Sequence, residues 1–173
     1  FIDQNKRYCE NPCDASTNAG SSIRLDLTVY ELIEFGRYPH QKSRKLSKED
    51  EEIIEWAIKV TNLNNYRNQT HSLSDEERKR AWLALAIAQK PKILLLDEPT
   101  TYLDIAHQLD VMELIQHLNR QFGMTILMVL HDINQASRYS DRLVVMKNGK
   151  VFYNDKPESV LCREMFQSVF HID

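Results

Sequence analysis

Glycine is scarce in this sequence, and its scarcity excludes one common kind of phosphate-binding site. Only 4 of the 173 residues are glycine, at positions 20, 36, 123 and 149, whereas average usage predicts about 12. Four scattered glycines cannot build a glycine-rich loop whose backbone N–H groups surround phosphates. The pattern G-x-x-x-x-G-K-[ST] is absent, since Gly149-Lys150 is followed by Val151.

Cysteine is also rare, and the few cysteines do not indicate a disulfide framework. There are 3 of them, with Cys9 and Cys13 four residues apart and Cys162 far away. An odd number cannot pair fully, and no further His or Cys follows Cys9 and Cys13 at the spacing of a zinc site. We therefore expect a reduced, cytosolic protein.

Long apolar runs and an excess of one charge are both missing. The 22 basic and 25 acidic residues give a net charge of −3, which argues against a dedicated nucleic-acid-binding protein. No apolar run reaches the roughly 18 residues that a membrane-spanning helix needs. The first residue is Phe1 and no signal-peptide pattern follows it, which is consistent with a fragment of a longer protein.

The apolar pattern divides the chain into three stretches. Residues 1–24 have little periodicity and are interpreted as an irregular N-terminal segment or insert. Residues 25–90 carry the 3.6-residue periodicity of helices, and residues 91–173 alternate strand-like runs with helices. We expect an α/β fold, in which a partial parallel sheet flanked by helices is joined to a helical subdomain.

Short polar signals predict where the helices of residues 25–90 begin and end. Thr28 and Ser74 are each followed three residues later by a glutamate, the pattern of a capping box. Ser47 precedes a cluster of acidic residues, which favour the positive N-terminal end of a helix. Gly36 is expected to end the first of these helices, because glycine adopts the left-handed backbone of a helix terminus.

Two continuous apolar runs predict a βαβ unit in the last stretch. The runs lie in residues 92–100 and 125–131, and the helix between them should begin at Asp104 and end near Gly123. Parallel strands of this kind are ordinarily buried on both faces. Farther on, Asn148-Gly149 joins two strand-like runs and predicts a β-hairpin.

The octapeptide ILLLDEPT at residues 93–100 ends an apolar strand with two carboxylates. The carboxyl edge of a parallel sheet is where ligands bind. Asp97 could hold Mg²⁺, which prefers oxygen ligands, and Glu98 could polarise a water molecule that attacks a phosphate. The alternative is an ordinary strand followed by a solvated acidic turn.

Two further elements follow in order along the chain. The segment TYLD occupies residues 101–104, and His131 ends the next apolar strand in MVLHD. A histidine at that sheet edge could contact a γ-phosphate oxygen and hold a catalytic water. Alone, His131 is better explained as a surface histidine, but its co-occurrence with the carboxylate strand favours a functional site.

These motifs resemble those of the ATP-binding subunits of ABC transporters. ILLLDEPT matches the Walker B strand with its catalytic glutamate, TYLD the D-loop, and MVLHD the segment with the switch histidine. Residues 27–40 and 81–89 resemble importers of iron–siderophore complexes, haem and cobalamin. The resemblance runs from about Leu25 to the C-terminus.

The resemblance implies a P-loop NTPase fold, ATP and Mg²⁺ as cofactors, and a role for each motif residue. Asp97 would be the Mg²⁺ carboxylate, Glu98 the general base and His131 the γ-phosphate sensor. Ser74 and Asp104 would belong to loops that contact ATP across a head-to-tail homodimer. The other partner would be a membrane-embedded permease subunit that contacts residues 27–71, which implies a cytoplasmic protein peripheral on the inner face of the cell membrane.

Two departures from the family pattern predict impaired nucleotide binding. The P-loop section is absent, and the signature LSGGQ is replaced by LSDEE at residues 73–77. The carboxylates of Asp75 and Glu76 would repel a triphosphate by about 1 kcal/mol or more. Ser74 and Glu77 are better explained as caps of their own helix. A third comparison concerns Gln4, which could be the family's Q-loop glutamine, a residue that contacts Mg²⁺. The alternative is that Gln4 belongs to a frayed terminus.

Three functions remain open from the sequence. The first is an importer ATPase that is incomplete or altered, and the second is a non-catalytic scaffold or regulatory relative that no longer turns over ATP. A DNA-repair or structural-maintenance ATPase is disfavoured by the near-neutral charge and the lack of coiled-coil heptads. Without a P-loop strand and helix, apolar strand faces should be left uncovered.

Overall fold

The computed structural model describes residues 27–41, 45–63, 67–68, 70–71, 73–101 and 103–171. Gln4, Cys9, Cys13 and the whole 1–24 segment lie outside the described residues. In chain order the elements are α1 (Val29–Glu34), a 3₁₀ helix (Phe35–His40), α2 (Lys48–Val60), α3 (Asp75–Ala88), β1 (Ile93–Asp97), α4 (Ile105–Phe122), β2 (Thr125–Val129), α5 (Ile133–Tyr139), β3 (Leu143–Lys147), β4 (Lys150–Asp155), α6 (Pro157–Val160), α7 (Arg163–Met165) and a π-helical turn (Phe166–Phe170).

The predicted helix starts are confirmed at all three positions. Thr28, Ser47 and Ser74 are the N-caps of α1, α2 and α3, and each forms a complete capping box with an acidic residue three positions later. At α3 the Glu77 amide donates to the Ser74 hydroxyl at 3.2 Å, and the Ser74 amide donates to the Glu77 carboxylate at 2.8 Å. Each box pairs donors that a helix N-terminus otherwise leaves unsatisfied.

The predicted end of α1 beside Gly36 is confirmed, since α1 ends at Glu34 with Phe35 as its C-cap, but the left-handed conformation expected of Gly36 is not found. Gly36 lies inside the 3₁₀ helix that continues α1 to His40, and its backbone is not left-handed. A Cβ at this position would lie 2.4 Å from the carbonyl oxygen of Leu85 and 3.2 Å from the Cβ of Ala88. The missing side chain therefore serves close packing of the 3₁₀ helix against α3.

A buried ion pair and a backbone hydrogen bond connect the 3₁₀ helix with α2 and α3. The Arg37 guanidinium donates to the Asp50 carboxylate at 2.8 Å and to the carbonyl of Ala88 at 2.7 Å. Hydrogen bonds from Ser47 and then from Arg37 lower the pKa of Asp50. Arg37 and Asp50 are both buried, and the hydrophobic core of the bundle continues through Leu94 of β1 and Leu118 of α4.

β1 and β2 form the predicted parallel pair, with register from Ile93 opposite Thr125 to Asp97 opposite Val129. Asp104 caps α4 by accepting the His107 amide hydrogen bond at 2.9 Å. At its other end Gly123 adopts the expected left-handed conformation, with φ of 64°. The βαβ unit is therefore confirmed in its elements and in its direction.

The prediction that these strands are buried on both faces is wrong for the described part of the chain. Leu96 and the β2 residues Ile126 and Met128 pack against Met112 and Ile115 of α4. The alternate side chains on the opposite face are exposed, namely Ile93 (62%), Leu95 (55%), Leu127 (59%) and Val129 (53%). One connecting helix covers one face of a sheet, so the second face needs another layer.

The C-terminal hairpin forms as predicted. β3 and β4 are antiparallel and separate from the β1–β2 sheet in hydrogen bonding. Asn148 and Gly149 both have positive φ, 51° and 73°, as a two-residue type I′ turn requires. Pro157 begins α6, where its missing amide hydrogen carries no cost.

Candidate functional site

The carboxyl end of β1 turns sharply at Glu98. The Glu98 amide still donates to the Val129 carbonyl at 3.1 Å, which extends the ladder to β2. Its own φ is 46°, in the left-handed region, where a residue with a side chain incurs about 1 kcal/mol of strain. The bend sends the chain away from the sheet directly after Asp97 and leaves the Glu98 side chain at the sheet edge.

The Glu98 carboxylate is held by two side chains. The imidazole Nε2 of His131 lies 2.5 Å from one carboxylate oxygen, and the Thr101 hydroxyl donates to the other at 3.0 Å. The hydrogen bond to His131, followed by the one from Thr101, lowers the pKa of Glu98. Glu98 is therefore a carboxylate at neutral pH, able to orient a water molecule and accept a proton from it.

His131 reaches Glu98 because the two strands are parallel and end at the same edge. It follows β2 and Leu130, one residue before Asp132, whose carboxylate caps α5 by accepting the Asn134 amide at 2.7 Å. The side chain of His131 is 74% exposed and that of Glu98 is 38% exposed. The pair thus faces solvent and is open to an external ligand.

Asp97, the predicted metal ligand, is an exposed carboxylate at the last position of β1. No group of three or more His, Cys, Asp or Glu side chains that could hold a metal ion occurs among the described residues. Mg²⁺ commonly uses only one or two protein carboxylates together with phosphate oxygens and water. A single carboxylate at this edge fits that donor set and does not fit a closed all-protein metal site.

Ser74 and Asp104 do not contact the Glu98–His131 pair and are engaged as helix caps. The Ser74 hydroxyl caps α3, and the Asp104 carboxylate caps α4. The backbone hydrogen bond from His107 is the main cause that lowers the pKa of Asp104. Both residues therefore lie at helix N-termini, with their side chains already hydrogen-bonded within the chain.

The acidic stretch that replaces the family signature is paired within its own chain. Asp75 pairs with Arg78 at 3.0 Å, and Glu76 pairs with Arg80 at 2.7 Å. Glu76 also accepts a contact at 2.7 Å from His107 of α4. With Glu77 in the capping box, the first turn of α3 is satisfied by its own carboxylates, as expected from the sequence.

The sequence does not predict the contacts that three residues make near this edge. Thr101 holds Glu98, the Lys79 ammonium donates to the Thr101 carbonyl, and His107 joins Asp104 to Glu76. The spacing of Glu76 and Arg80, four residues apart on a helix, is a visible signal for their ion pair. The contacts of Lys79 and His107 cross between elements, so no local spacing indicates them.

A shallow, open cavity of about 500 Å³ lies away from this edge. It is lined by Lys90, Lys92, Phe122, Met124 and their neighbours. These residues lie at the beginnings of β1 and β2, opposite the carboxyl ends.

In the described ranges, no helix combines the length and the apolar character needed to cross a membrane.

Comparison with known proteins gives consistent matches. A family model described as ABC transporter matches residues 6–101, which is more than half of the chain. The petrobactin import ATP-binding protein FpuC of Bacillus anthracis is 62% identical over 152 residues, covering 87% of this chain and 56% of that protein. The iron(3+)-hydroxamate import ATP-binding protein FhuC of Bacillus subtilis (strain 168) is 44% identical over 149 residues, covering 85% and 55% respectively.

A solved structure supports the same fold. CbiO1 of Clostridium perfringens, part of the ABC transporter complex CbiONQ, superimposes with a TM-score of 0.71 at 30% identity. The match covers 83% of this chain and 56% of that chain. The chain therefore spans just over half the length of the curated relatives it matches, and its α/β architecture is that of their P-loop NTPase domains.

Proposed function

The chain belongs to the ABC transporter family, and from this premise we propose that it acts in an ATP-driven importer of iron–siderophore complexes. Its role there would be that of the ATP-binding, energy-coupling subunit. The proposal is supported by the names of the relatives, which are ATP-binding proteins for petrobactin and iron(3+)-hydroxamate import.

The contact between Glu98 and His131 is the observation that carries the proposal. The two side chains come from neighbouring strand ends and meet at 2.5 Å on an open edge of the sheet. Glu98 would act as general base toward the water that attacks the γ-phosphate, since its carboxylate is ionised at neutral pH. His131 would contact the γ-phosphate and keep Glu98 in place.

Asp97 would hold Mg²⁺ beside this pair. Its carboxylate is exposed at the last position of β1, one residue before Glu98. When bound, Mg²⁺ supplies positive charge that offsets the negative charge of the phosphates. The contribution of the chain is to present one oxygen ligand at the edge where Glu98 and His131 already meet.

The remaining expectations become part of the same proposal. Ser74 and Asp104 would face a nucleotide held by the other member of a head-to-tail homodimer. A membrane-embedded permease subunit would contact residues 27–71 of the helical subdomain, residues 25–90, while residues 91–173 would form the RecA-like part. This arrangement corresponds to a cytoplasmic protein peripheral on the inner face of the membrane.

We expect this chain by itself to bind Mg-ATP no more tightly than millimolar. It has no P-loop pattern, and its signature stretch carries the carboxylates of Asp75 and Glu76. Isothermal titration of the chain with Mg-ATP is the measurement, with Mg-ADP in parallel. Micromolar affinity would contradict the expectation.

A second candidate is a non-catalytic scaffold or regulatory protein of the same family. It is favoured by the internal pairing of Glu76 and Glu77, which occupies the helix end that the family signature offers to phosphate. Phosphate release from excess Mg-ATP distinguishes the two. Turnover that falls at least about a hundredfold in Glu98→Gln supports the ATPase, whereas a chain that binds Mg-ATP but shows no turnover above that of Glu98→Gln supports the scaffold.

A further inference from the structure

Glu76 connects the beginning of α3 to the beginning of α4. One of its carboxylate oxygens pairs with Arg80 at 2.7 Å, and the other contacts Nε2 of His107 at 2.7 Å. The second ring nitrogen of His107 lies 2.9 Å from the Asp104 carboxylate, which caps α4. Arg80 also reaches Asp110 of α4 at 3.2 Å.

This cluster is partly shielded from solvent. The side chains of Glu76 and Arg80 are only 17% and 15% exposed, so water screens their pairing less than it screens an ordinary surface ion pair. Removing one partner there leaves the other charge poorly solvated. The cluster is therefore a firm connection between α3 and the residue that begins α4.

Lys79 makes a second connection from the same part of α3. Its ammonium group donates to the backbone carbonyl of Thr101, 22 residues away. The hydroxyl of Thr101 in turn donates to Glu98. Lys79 and Glu76 are three residues apart and so lie on the same side of the helix.

We propose that the first two turns of α3 brace the segment that follows β1. Lys79 would hold it at Thr101, and Glu76 would hold it at Asp104 through His107. Lys79 and Glu76 are then positioning residues for Glu98. Their importance for catalysis rests on the proposed function, but the brace itself does not require a nucleotide.

The brace makes the acidic substitution in the signature stretch useful to the fold. A glycine at position 76 could not reach either Arg80 or His107. The Glu76 side chain contacts α4 at the place where the family signature would bind an external anion. The sequence change thus stabilises the loop beside Glu98 within one chain.

Amide hydrogen exchange of the whole chain, without nucleotide, tests the brace. The reporters are the amides of Thr101 and Leu103, which donate to the carbonyls of Glu98 and Thr100 within the segment. We expect Glu76→Gln and Lys79→Met to accelerate exchange at these amides about tenfold, since local opening becomes easier. The Gly123 amide, which donates to Asn119 at the far end of α4, should not change.

Two further variants separate positioning from a general loss of stability. Asp75→Asn is the matched control, because Asp75 is 88% exposed and pairs only within α3, with Arg78. Lys79→Arg should restore slow exchange, because arginine can also donate to the Thr101 carbonyl. The NMR signals of the His131 imidazole should shift in Lys79→Met and return in Lys79→Arg.

The proposal is overturned if Thr101 and Leu103 exchange at the wild-type rate in both Glu76→Gln and Lys79→Met. It is also overturned if the Gly123 amide accelerates equally, which would indicate loosening of the whole of α4. Neither readout depends on ATP, so absent turnover would count against the proposed function and leave the brace supported or refuted on its own measurements.

Discussion

At the scale of single residues, Glu98 combines a left-handed backbone with a carboxylate that contacts both His131 and Thr101. The sequence predicts one sheet edge for Asp97, Glu98 and His131. Each lies at the end of an apolar run, and parallel strands end at the same edge. The left-handed conformation of Glu98 is not predictable from residue type, since glutamate rarely adopts it. The hydrogen bond from Thr101 to Glu98 is not predictable from the sequence either, because it depends on that bend.

The ionisation of Glu98 should depend on His131. Because the hydrogen bond to His131 is the main cause that lowers the pKa of Glu98, His131→Ala should raise that pKa toward its ordinary value of 4.5. A carboxylate with a lowered pKa stabilises the fold above its ordinary pKa and loses that contribution as pH falls through the folded value. The variant should therefore show a flatter acid limb of unfolding free energy against pH.

Carbon-13 NMR titration of the Glu98 carboxyl group measures the effect directly. Thr101→Val serves as the matched control, since it removes the smaller of the two hydrogen-bond contributions and should raise the pKa less. An unchanged Glu98 titration in His131→Ala would mean that the imidazole does not hold the carboxylate in solution.

At the scale of helices and strands, short-range sequence patterns predict where the elements begin and end. They do not predict the contacts between elements. The caps at Thr28, Ser47 and Ser74 require only side chains three residues apart, so the spacing predicts them. Asn148-Gly149 predicts its hairpin for the same reason. The packing role of Gly36 is not predictable from local sequence, because it depends on α3, which begins 39 residues later.

Gly36→Ala should destabilise the helical bundle by about 2 kcal/mol, a typical cost of overpacking. The new methyl group would meet a backbone carbonyl, that of Leu85, which cannot turn aside as a flexible side chain could. Urea unfolding measured by circular dichroism gives the change in free energy.

Gly123→Ala provides the contrast for that measurement. No atom lies within 4 Å of its added Cβ, so only the left-handed backbone opposes it, at a cost of about 1 kcal/mol. If Gly36→Ala were as stable as the wild-type chain, the 3₁₀ helix and α3 would be farther apart than described.

At the scale of the whole molecule, continuous apolar runs predicted strands buried on two faces, and the described residues cover one. The same runs correctly predicted the direction of β1 and β2, because direction follows from the intervening helix. Burial depends on every layer that packs against a sheet, which no single run encodes.

The exposed face of β1 and β2 should make the chain self-associate as its concentration rises. Leu95 and Leu127 are register partners in the middle of this face and are both more than half exposed. Contiguous apolar surface of this kind drives association in water. Replacing both leucines by threonine should shift sedimentation-velocity profiles toward the monomer, while threonine keeps the β preference of the strands.

The control is Leu109→Gln on α4, which removes a partly exposed leucine elsewhere and should leave association unchanged. Equal effects of the two changes would assign the association to general apolar surface, and no association in the wild type would mean that this face is covered in solution.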